Sequence, residues 1–297
     1  MSEDLVIGLD AGGTEIKAGL LRGAEVIEER RFFTERNQGP DHAVEQVLHA
    51  AEVMHKDFPE SKAIGLVVPG VVDSANGIAE FSENIQWKNV PFGSELRRVT
   101  GLPWGFGHDV RLGGLAESLY GASAGYRDSL FFPIGTGIAG AMIVDGELID
   151  NPYGGEIGHL DVQSGYNCAC GSHGCLESIA TAPSIIRIYK EKSGKDVTGS
   201  QDVLAAAKAG EKAAREAWFG AMRAIAVSVT AYVTIMAPEI IVFGGGVSNA
   251  GDDLIKPVAD YVDAHLTFQK RPKFAIAKLG DRAGMIGAGI LAQRSLS

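Results

Sequence analysis

The sequence lacks three features that would each assign it to a different class of protein. It has no uninterrupted apolar run of the roughly 20 residues that a membrane-spanning helix needs, because Ser and Thr break its longest apolar stretch, residues 224–238. Its acidic first ten residues do not have the basic start and apolar core of a secretory signal. No cluster of five basic residues occurs and the net charge is −10, which disfavours nucleic acid as a partner. These absences predict a cytoplasmic protein without membrane or nucleic-acid partners.

Cysteine is scarce, yet all three cysteines, Cys168, Cys170 and Cys175, fall within eight residues. A disulfide framework would leave one thiol over, so this spacing fits a shared metal in a reducing compartment better. With His159 the cluster offers one imidazole and three thiolates, a mixture that Zn²⁺ prefers, and four protein ligands leave no open position for a catalytic water. We therefore expect a structural zinc ion. The alternatives are a redox-active thiol pair, inert thiols, or His173 as the imidazole ligand.

Hydrophobic periodicity predicts an α/β protein. Residues 5–34 have the small-residue breaks of three short strands joined by tight turns. Helical spacing at 41–58 followed by an apolar run at 63–72 predicts a helix that leads into a buried strand. A further strand ends at Asp109, and helical periodicity follows over 110–121. The elements expected in the second half are strands in FFPIGTGIAGAMIVDGELI, EIIVFGGG and KFAIAKL and helices at 205–236, 252–265 and 283–294.

The two halves of the chain echo each other. Residues 13–27 match residues 135–149 at an offset of 122, with Gly, Thr, Ile and Glu at corresponding positions. Glycine is abundant, with 39 residues, so chance is an alternative explanation of the match. We expect a duplication that gives two related α/β lobes facing a cleft. The expected domains are an N-terminal lobe at 1–109, a larger C-terminal lobe at 110–282, and a closing helix within 283–297 that packs back on the first lobe.

Three glycine-containing turns follow apolar strands. Glycine lets backbone N–H groups approach an anion closely and adopts backbone angles closed to other residues. Each turn alone could equally be a hairpin or a helix cap, and none has the P-loop or dinucleotide-binding pattern. The first two turns share a Thr at the echoed position, and the first follows a carboxylate suited to hydrated Mg²⁺. The phosphate-binding candidates are Asp10, Gly12, Gly13, Thr14 and Lys17 around the first turn, Gly135, Thr136 and Gly137 in the second, and Gly244, Gly245 and Gly246 in the third.

These motifs together resemble the ROK family of bacterial repressors and sugar kinases, within the actin and hexokinase superfamily. DAGGTEIKAGLL is similar to the first phosphate loop of that family and GTGIAGAMIVDGEL to the second. GGEIGH with CACGSHGCLE resembles its zinc signature, and IIVFGGGV its nucleotide-side loop. The resemblance implies a two-lobed actin/hexokinase-like fold, a duplicated ribonuclease H-like architecture, with ATP, Mg²⁺ and structural Zn²⁺ as cofactors and a homodimer as the assembly.

The resemblance also implies roles for individual residues. Asp109 is similar to the catalytic base of the family, which takes the proton of a sugar hydroxyl as that oxygen attacks the γ-phosphate of ATP. Capping the helix that follows is a compatible structural role for Asp109. Glu156 and Glu177 resemble carboxylates that accept hydrogen bonds from sugar hydroxyls, and His159 resembles a residue that binds zinc and faces the sugar. Asn84 resembles another hydroxyl contact, with a turn residue as the alternative.

One position departs from the pattern of the family, because His108 stands where Asn commonly precedes the catalytic Asp. A neutral imidazole offers one donor and one acceptor with a different reach from that of an amide. Contact with the ligand, a pocket reshaped for a modified sugar or cyclitol, and a packed histidine are the three interpretations.

The function implied by the resemblance is ATP-dependent phosphorylation of a hexose at its 6-hydroxyl, with glucose as the leading acceptor. The alternatives are an N-acetylhexosamine, another hexose or a cyclitol. The sugar-responsive repressors of the family carry a DNA-binding region ahead of the first phosphate loop, which here begins at residue 10, so this role is not expected. A catalytically silent sugar-binding protein is disfavoured because Asp109, Asp10 and both Thr-bearing turns are present. Polyphosphate as the donor is disfavoured by the absence of Lys/Arg clusters.

Overall fold

Residues 4–296 of the 297-residue chain are described here from a computed structural model. The strands of this part of the chain are β1 Val6–Ala11, β2 Glu15–Arg22, β3 Glu25–Phe33, β4 Ala63–Val68, β5 Val71–Asp73, β6 Ile78–Phe81, β7 Lys88–Val90, β8 Trp104–His108, β9 Ser129–Pro133, β10 Ala141–Val144, β11 Glu147–Leu148, β12 Ile240–Gly244 and β13 Lys273–Ile276. Its α-helices are α1 Pro40–Asp57, α2 Phe92–Thr100, α3 Asp109–Tyr120, α4 Glu177–Ala180, α5 Ala182–Ser193, α6 Ser200–Lys208, α7 Lys212–Met236, α8 Asp252–His265 and α9 Ala283–Arg294.

The described residues fall into two compact units. Unit 1 takes in the chain as far as Gly121, the short segment Asp150–Gly154 and the C-terminal segment from Asp281. Unit 2 comprises Ala122–Ile149 and Gly155–Gly280. The first boundary lies after α3 rather than after the strand that precedes it, because α3 packs against α9 within unit 1. The division into two functional lobes stays a prediction.

Unit 1 is built on a five-stranded sheet in the order β3-β2-β1-β4-β8. The first three strands are antiparallel, whereas β1, β4 and β8 run parallel. Every residue of β4 is buried, as expected for a strand covered on both faces. Helix α9 lies directly on β1 and β4, and this close approach requires glycine in the strand. A Cβ atom on Gly65 would lie 1.8 Å from the backbone oxygen of Ala288.

Unit 2 repeats this architecture with a sheet in the order β11-β10-β9-β12-β13. Its first three strands are again antiparallel, and β9, β12 and β13 are parallel. Relabelled in chain order within each unit, both sheets have the strand order 3-2-1-4-5. The echoed segments, which follow the first strand of each sheet, contain β2 and the start of β3 in unit 1 and β10 and β11 in unit 2. The shared topology confirms the prediction of a duplicated α/β fold.

The core of unit 2 forms around helix α7. By length and mean hydropathy, 1.5 over its most apolar window, this helix would be able to cross a membrane. Its buried side chains, among them Trp218, Ile225 and Val229, instead pack in the apolar cluster that includes Phe132 and Phe243 of the sheet. This packing identifies α7 as a core helix.

Two details of the predicted elements were wrong. The single helix expected at 205–236 is two helices, α6 and α7, because the chain breaks around Gly210. The strand expected at 63–72 ends at Val68, and the chain continues after Pro69 and Gly70 into a small antiparallel sheet of β5, β6 and β7 that periodicity did not predict. That sheet matters for the site because the turn between β6 and β7 carries Asn84.

Candidate active site and metal centre

The predicted site residues divide between the two units. Unit 1 holds the first glycine turn, Asn84, His108 and Asp109. Unit 2 holds the second and third glycine turns, Glu156, Glu177 and the cysteine and histidine cluster.

Two carboxylates lie at one edge of the sheet of unit 1. Asp10 is near the end of β1 and Asp109 directly follows β8. Because β1, β4 and β8 are parallel, their carboxyl ends lie at the same edge. Burial, and after it the negative charge of Asp109, raise the pKa of the Asp10 carboxyl to about 7. The sheet therefore holds two acidic groups close enough for one to disfavour ionisation of the other.

The first glycine turn and Lys17 surround Asp10. The backbone N–H of Gly12 donates to the oxygen of Glu15, 3.0 Å away, and closes the turn between β1 and β2. The register of the hairpin sets Lys17 opposite Asp10, and its ammonium group lies 4.0 Å from Oδ2 of that carboxylate. Lys17 also donates to the backbone oxygen of Asp281 at 2.9 Å. Lys17 is thus shared between Asp10 and the backbone at the start of the C-terminal segment of unit 1.

His108, and not Asp109, caps helix α3. The helix begins at Asp109, and Nδ1 of the buried His108 ring accepts from the backbone N–H of Val110 at 3.2 Å and of Arg111 at 3.4 Å. The same nitrogen lies 3.2 Å from Oδ1 of Asp109. The geometry favours the packed histidine among the three interpretations of this position, because the ring fills the capping role that Asn commonly has. Oδ1 of Asp109 also accepts from the N–H of Val110, at 2.6 Å, and the Asp109 side chain is a quarter exposed.

Sequence reasoning missed the buried Arg111, one turn into the same helix. Its side chain is 2% exposed, and Nε lies 3.0 Å from Oδ1 of Asp150. Nη1 donates to the backbone oxygen of Asn151 at 3.0 Å. A cation inside an apolar helical pattern was the available signal, but its partner lies 40 positions away in the chain. Arg111 therefore fixes the segment Asp150–Gly154 to the helix that starts with Asp109.

In unit 2 the second and third glycine turns pack together. Ile134 donates to the oxygen of Gly244 at 2.9 Å, and Val247 donates to the oxygen of Ile134 at 3.0 Å. Gly245 has a φ of 73°, and a Cβ atom on it would lie 2.4 Å from the Ile134 oxygen. Oε1 of Glu177, the first residue of α4, accepts from the backbone N–H of Ile138 at 2.7 Å. The structure therefore brings Glu177 to the second turn, where it stabilises the residue after Gly137.

The cysteine and histidine cluster has the donor geometry of a zinc site. One ligand atom from each of His159, Cys168, Cys170 and Cys175 lies within 4.8 Å of every other. The sulfurs of Cys170 and Cys175 are 3.8 Å apart, which equals the edge of about 3.8 Å expected for a tetrahedron with zinc–sulfur bonds of about 2.3 Å. His173, the competing imidazole, is not part of this group in the described residues.

The cluster mixes buried and exposed thiols. Cys175 is buried, whereas Cys170 is exposed. Burial, and then the neighbouring thiols Cys168 and Cys170, raise the pKa of Cys175 to about 12, and the backbone N–H of Ser172 lowers the pKa of Cys170. The imidazole of His159 faces Cys168 through Nδ1, 3.8 Å from its sulfur. Its Nε2 is therefore the nitrogen left for another ligand.

Backbone pairing aligns the segment of Glu156 and His159 with that of Glu177. Glu156 is exposed and precedes a short 3₁₀ turn, Ile157–His159. The N–H of Leu176 donates to the oxygen of Leu160 at 3.0 Å, so the segment that ends at His159 lies beside the one that continues into Glu177. The three predicted sugar contacts of unit 2 thus share one region of that unit.

Comparison with known proteins identifies a family that this chain matches. The model of the family described as ROK family matches residues 6–295. A glucokinase of Halalkalibacterium halodurans is 31% identical over 99% of this chain and 96% of its own length, and a kanosamine kinase of Amycolatopsis mediterranei is 29% identical over 96% and 95%. The crystal structure of a ROK hexokinase from Thermus thermophilus has a TM-score of 0.84 at 28% identity, covering 98% of this chain and 99% of the other. The structural match confirms the predicted actin/hexokinase-like fold class.

Proposed function

Since the chain belongs to the ROK family, we propose that it transfers the terminal phosphoryl group of ATP to the 6-hydroxyl of a hexose, with glucose as the leading acceptor. It is an ATP-dependent sugar kinase. The proposal concerns the acceptor, the residues that carry the reaction and the metal ions. A cytoplasmic location and a homodimer stay predictions.

The observation that carries the proposal is the pair of carboxylates at one edge of the sheet in unit 1. Asp109 directly follows a strand and is partly exposed. Its Oδ1 accepts from the backbone N–H of Val110 at 2.6 Å and lies 3.2 Å from Nδ1 of His108. A general base needs this combination of a fixed backbone and an accessible carboxylate oxygen. Asp10, beside the first glycine turn, is close enough to Asp109 for the charge of Asp109 to raise its pKa.

In the proposed reaction the 6-oxygen of the sugar attacks the γ-phosphorus of ATP. The hydroxyl proton passes to a carboxylate oxygen of Asp109 as the new oxygen–phosphorus bond forms. The bond between the γ-phosphorus and the bridging oxygen breaks, and ADP leaves with that electron pair. Phosphoryl transfer asks the protein mainly for alignment and charge stabilisation, which backbone N–H groups of the glycine turns and Lys17 would supply.

Asp10 is the residue that would hold Mg²⁺. Its raised pKa reports a carboxylate that is buried beside a second negative charge, and a divalent cation offsets both effects. Bound there, the ion would neutralise charge on the phosphate oxygens. Lys17 supplies one positive charge, 4.0 Å from the Asp10 carboxylate. One positive charge does not balance two carboxylates.

The residues proposed to contact the sugar are Asn84 in unit 1 and Glu156, His159 and Glu177 in unit 2. A zinc ion held by His159 and the three cysteines would fix the imidazole through Nδ1 and leave Nε2 to a sugar hydroxyl. The metal would be structural, because four protein ligands fill a tetrahedral site.

A panel of hexoses, amino sugars and cyclitols, each supplied with ATP and Mg²⁺, tests the function through the release of ADP. We expect glucose to give the highest kcat/KM. The similar identities to a glucokinase, 31%, and to a kanosamine kinase, 29%, make an amino sugar the second candidate acceptor. Binding of a sugar without sugar-dependent ADP release would instead identify a sugar sensor and overturn the kinase assignment.

A further inference from the structure

Arg36 lies between the first glycine turn and the turn that carries Asn84. It begins a short 3₁₀ turn, Arg36–Gln38, shortly after the end of β3. Its Nη1 lies 3.4 Å from the position that a Cβ atom on Gly13 would take and donates to the backbone oxygen of Asn84 at 3.1 Å. All of these residues belong to unit 1. The guanidinium group is therefore held against a predicted phosphate loop on one side and a predicted sugar contact on the other.

The positive charge of Arg36 is not neutralised locally. Across residues 4–296, no carboxylate oxygen is recorded within 4.0 Å of its guanidinium nitrogens. The adjacent Glu35 accepts instead from His42 at 2.7 Å and from Gln38 at 2.9 Å. Arg36 is exposed and uses one of its five N–H donors on a backbone oxygen.

The other cations around this turn are paired. Lys17 contacts Asp10 and the backbone of Asp281, and Arg31 binds the carboxylates of Glu15, Glu29 and Asp281. In a chain with a net charge of −10, an exposed guanidinium held in place without an acid is available to an anion.

A cavity of about 470 Å³ opens beside the guanidinium and is lined by Gly13, Thr14, Phe33 and Arg36 among others. This volume lies in the range of small-ligand sites, roughly 300–1,000 Å³. The lining includes Phe33, which is apolar and 70% exposed, and polar groups of the glycine turn, Arg36 and Glu35, whose carboxylate is bound by His42 and Gln38. The cavity thus has room for a phosphorylated sugar at the point where the positive charge lies.

We propose that Arg36 binds the phosphoryl group that the enzyme transfers, through its non-bridging oxygens. The proposal deepens the proposed function and rests on it. A planar guanidinium binds two oxygens of one phosphate at once, and a positive charge held ready where negative charge develops lowers the barrier to transfer. The same group belongs to ATP before transfer and to the hexose 6-phosphate after it, so the experiment separates these two sources.

The test compares Arg36→Gln, which removes the charge, with Arg36→Lys, which keeps it, and with Arg98→Gln as a matched control. Arg98 is an exposed arginine of the same unit that pairs only with Glu95 in its own helix. We expect kcat to fall at least about 10-fold in Arg36→Gln, to recover in part in Arg36→Lys, and to stay within about twofold in the control. The Kd of the sugar alone should change by less than about twofold, because the proposed contact is to phosphate. A kcat of Arg36→Gln equal to that of the parent overturns the proposal.

Two binding measurements identify the source of the phosphoryl group. Weaker inhibition by hexose 6-phosphate with unchanged ATP binding assigns Arg36 to the product, and the reverse result assigns it to the nucleotide. If both are unchanged, Arg36 does not bind the group. Arg36 makes one backbone contact and is exposed, so each variant should keep the Tm of the parent to within about 2 °C.

Calorimetric titration with inorganic phosphate separates a failure of this inference from a failure of the proposed function. If no sugar in the panel is phosphorylated, the kinase assignment fails, yet phosphate should still bind the parent at least about fivefold more tightly than Arg36→Gln. Equal phosphate affinities would exclude Arg36 as a phosphoryl contact whatever the outcome of the sugar panel.

Discussion

The two units share one sheet topology but place different chemistry at equivalent strand ends. The first strand of the unit 1 sheet reaches Asp10, whereas the echoed position in unit 2 is the buried Phe132. The last strand of the first sheet leads to Asp109, and the corresponding strand in unit 2 ends at Ile276. Both units keep a glycine turn with a Thr after the first strand. Both units therefore keep a turn predicted to bind an anion, but among the described residues at these strand ends the acidic pair belongs to unit 1 alone.

The difference has an electrostatic consequence. Unit 1 holds two carboxylates near each other, and the pKa of Asp10 is raised to about 7 by burial and by Asp109. A buried carboxylate beside a like charge destabilises a fold and is retained where function needs it. In unit 2 the candidate metal ligands lie in the loop from His159 to Cys175. A metal ion bound by this loop would stabilise the folded unit. We therefore expect a different substitution to impair each unit.

The largest expected effect concerns the metal cluster of unit 2. Cys170→Ser removes one of four donors, so zinc content should fall from about one per chain to a small fraction. Stability should drop by about 3 kcal/mol or more, because metal binding is coupled to folding. Metal analysis of purified protein and denaturant unfolding measure the two effects. His173→Asn is the matched control, since this imidazole lies in the same loop outside the cluster, and it should keep its zinc. Freshly purified, folded parent without zinc would contradict the assignment.

The next effect concerns the acidic pair of unit 1. Asp109→Asn keeps the shape of the side chain but removes the proton acceptor, so kcat should fall at least about 10²-fold, while the Kd of the sugar stays within about twofold. Steady-state kinetics and calorimetry give the two values. Asp57→Asn is a control that removes a carboxylate from the end of α1, where it pairs with Arg30 on the surface, and its kcat should match the parent. Turnover of Asp109→Asn near that of the parent would reject Asp109 as the base.

A third prediction tests how differently the glycine turns are packed. Gly245→Ala introduces a Cβ 2.4 Å from the backbone oxygen of Ile134 at a φ of 73°, so the free energy of unfolding should fall by about 2 kcal/mol or more. Gly246→Ala is the control for stability, because no heavy atom lies within 4 Å of its added Cβ, and its loss should stay below about 1 kcal/mol. In unit 1 an added Cβ on Gly13 meets Arg36 at 3.4 Å, so Gly13→Ala should also cost less than Gly245→Ala. Equal losses of unfolding free energy in all three variants would contradict the prediction that Gly245 is packed more tightly than Gly246 and Gly13.

Local sequence patterns predicted the strands of the two five-stranded sheets, the glycine turns, the metal cluster and the place of Asp109 after a strand. Each of these features depends on periodicity or spacing within about twenty residues, and such local patterns can be identified directly in the sequence. The contacts that were missed join distant segments, as when Arg111 meets Asp150 and Arg36 meets Asn84, 48 positions away. His108 shows a further limit, because one imidazole serves equally well as a ligand, a base or a cap until its neighbours are known. Periodicity also carried a helix across Gly210, where the chain breaks.

The smallest expected effect is a pH dependence that unit 1 has and unit 2 lacks at the equivalent strand end. The folded-state pKa of Asp10, about 7, lies above that of an unfolded Asp, so between about pH 4 and pH 7 the folded chain binds more protons than the unfolded one. Stability due to this group is therefore lost as pH rises through that window. Urea unfolding of the magnesium-free parent should give about 1 kcal/mol less stability at pH 8 than at pH 6 from this source. Asp10→Asn should lack that contribution, and the difference between the two proteins isolates it from other titrating groups. Added Mg²⁺ at pH 8 should stabilise the parent more than Asp10→Asn, since the cation favours the ionised carboxylate. Identical pH profiles for the two proteins would show that ionisation of Asp10 does not destabilise unit 1.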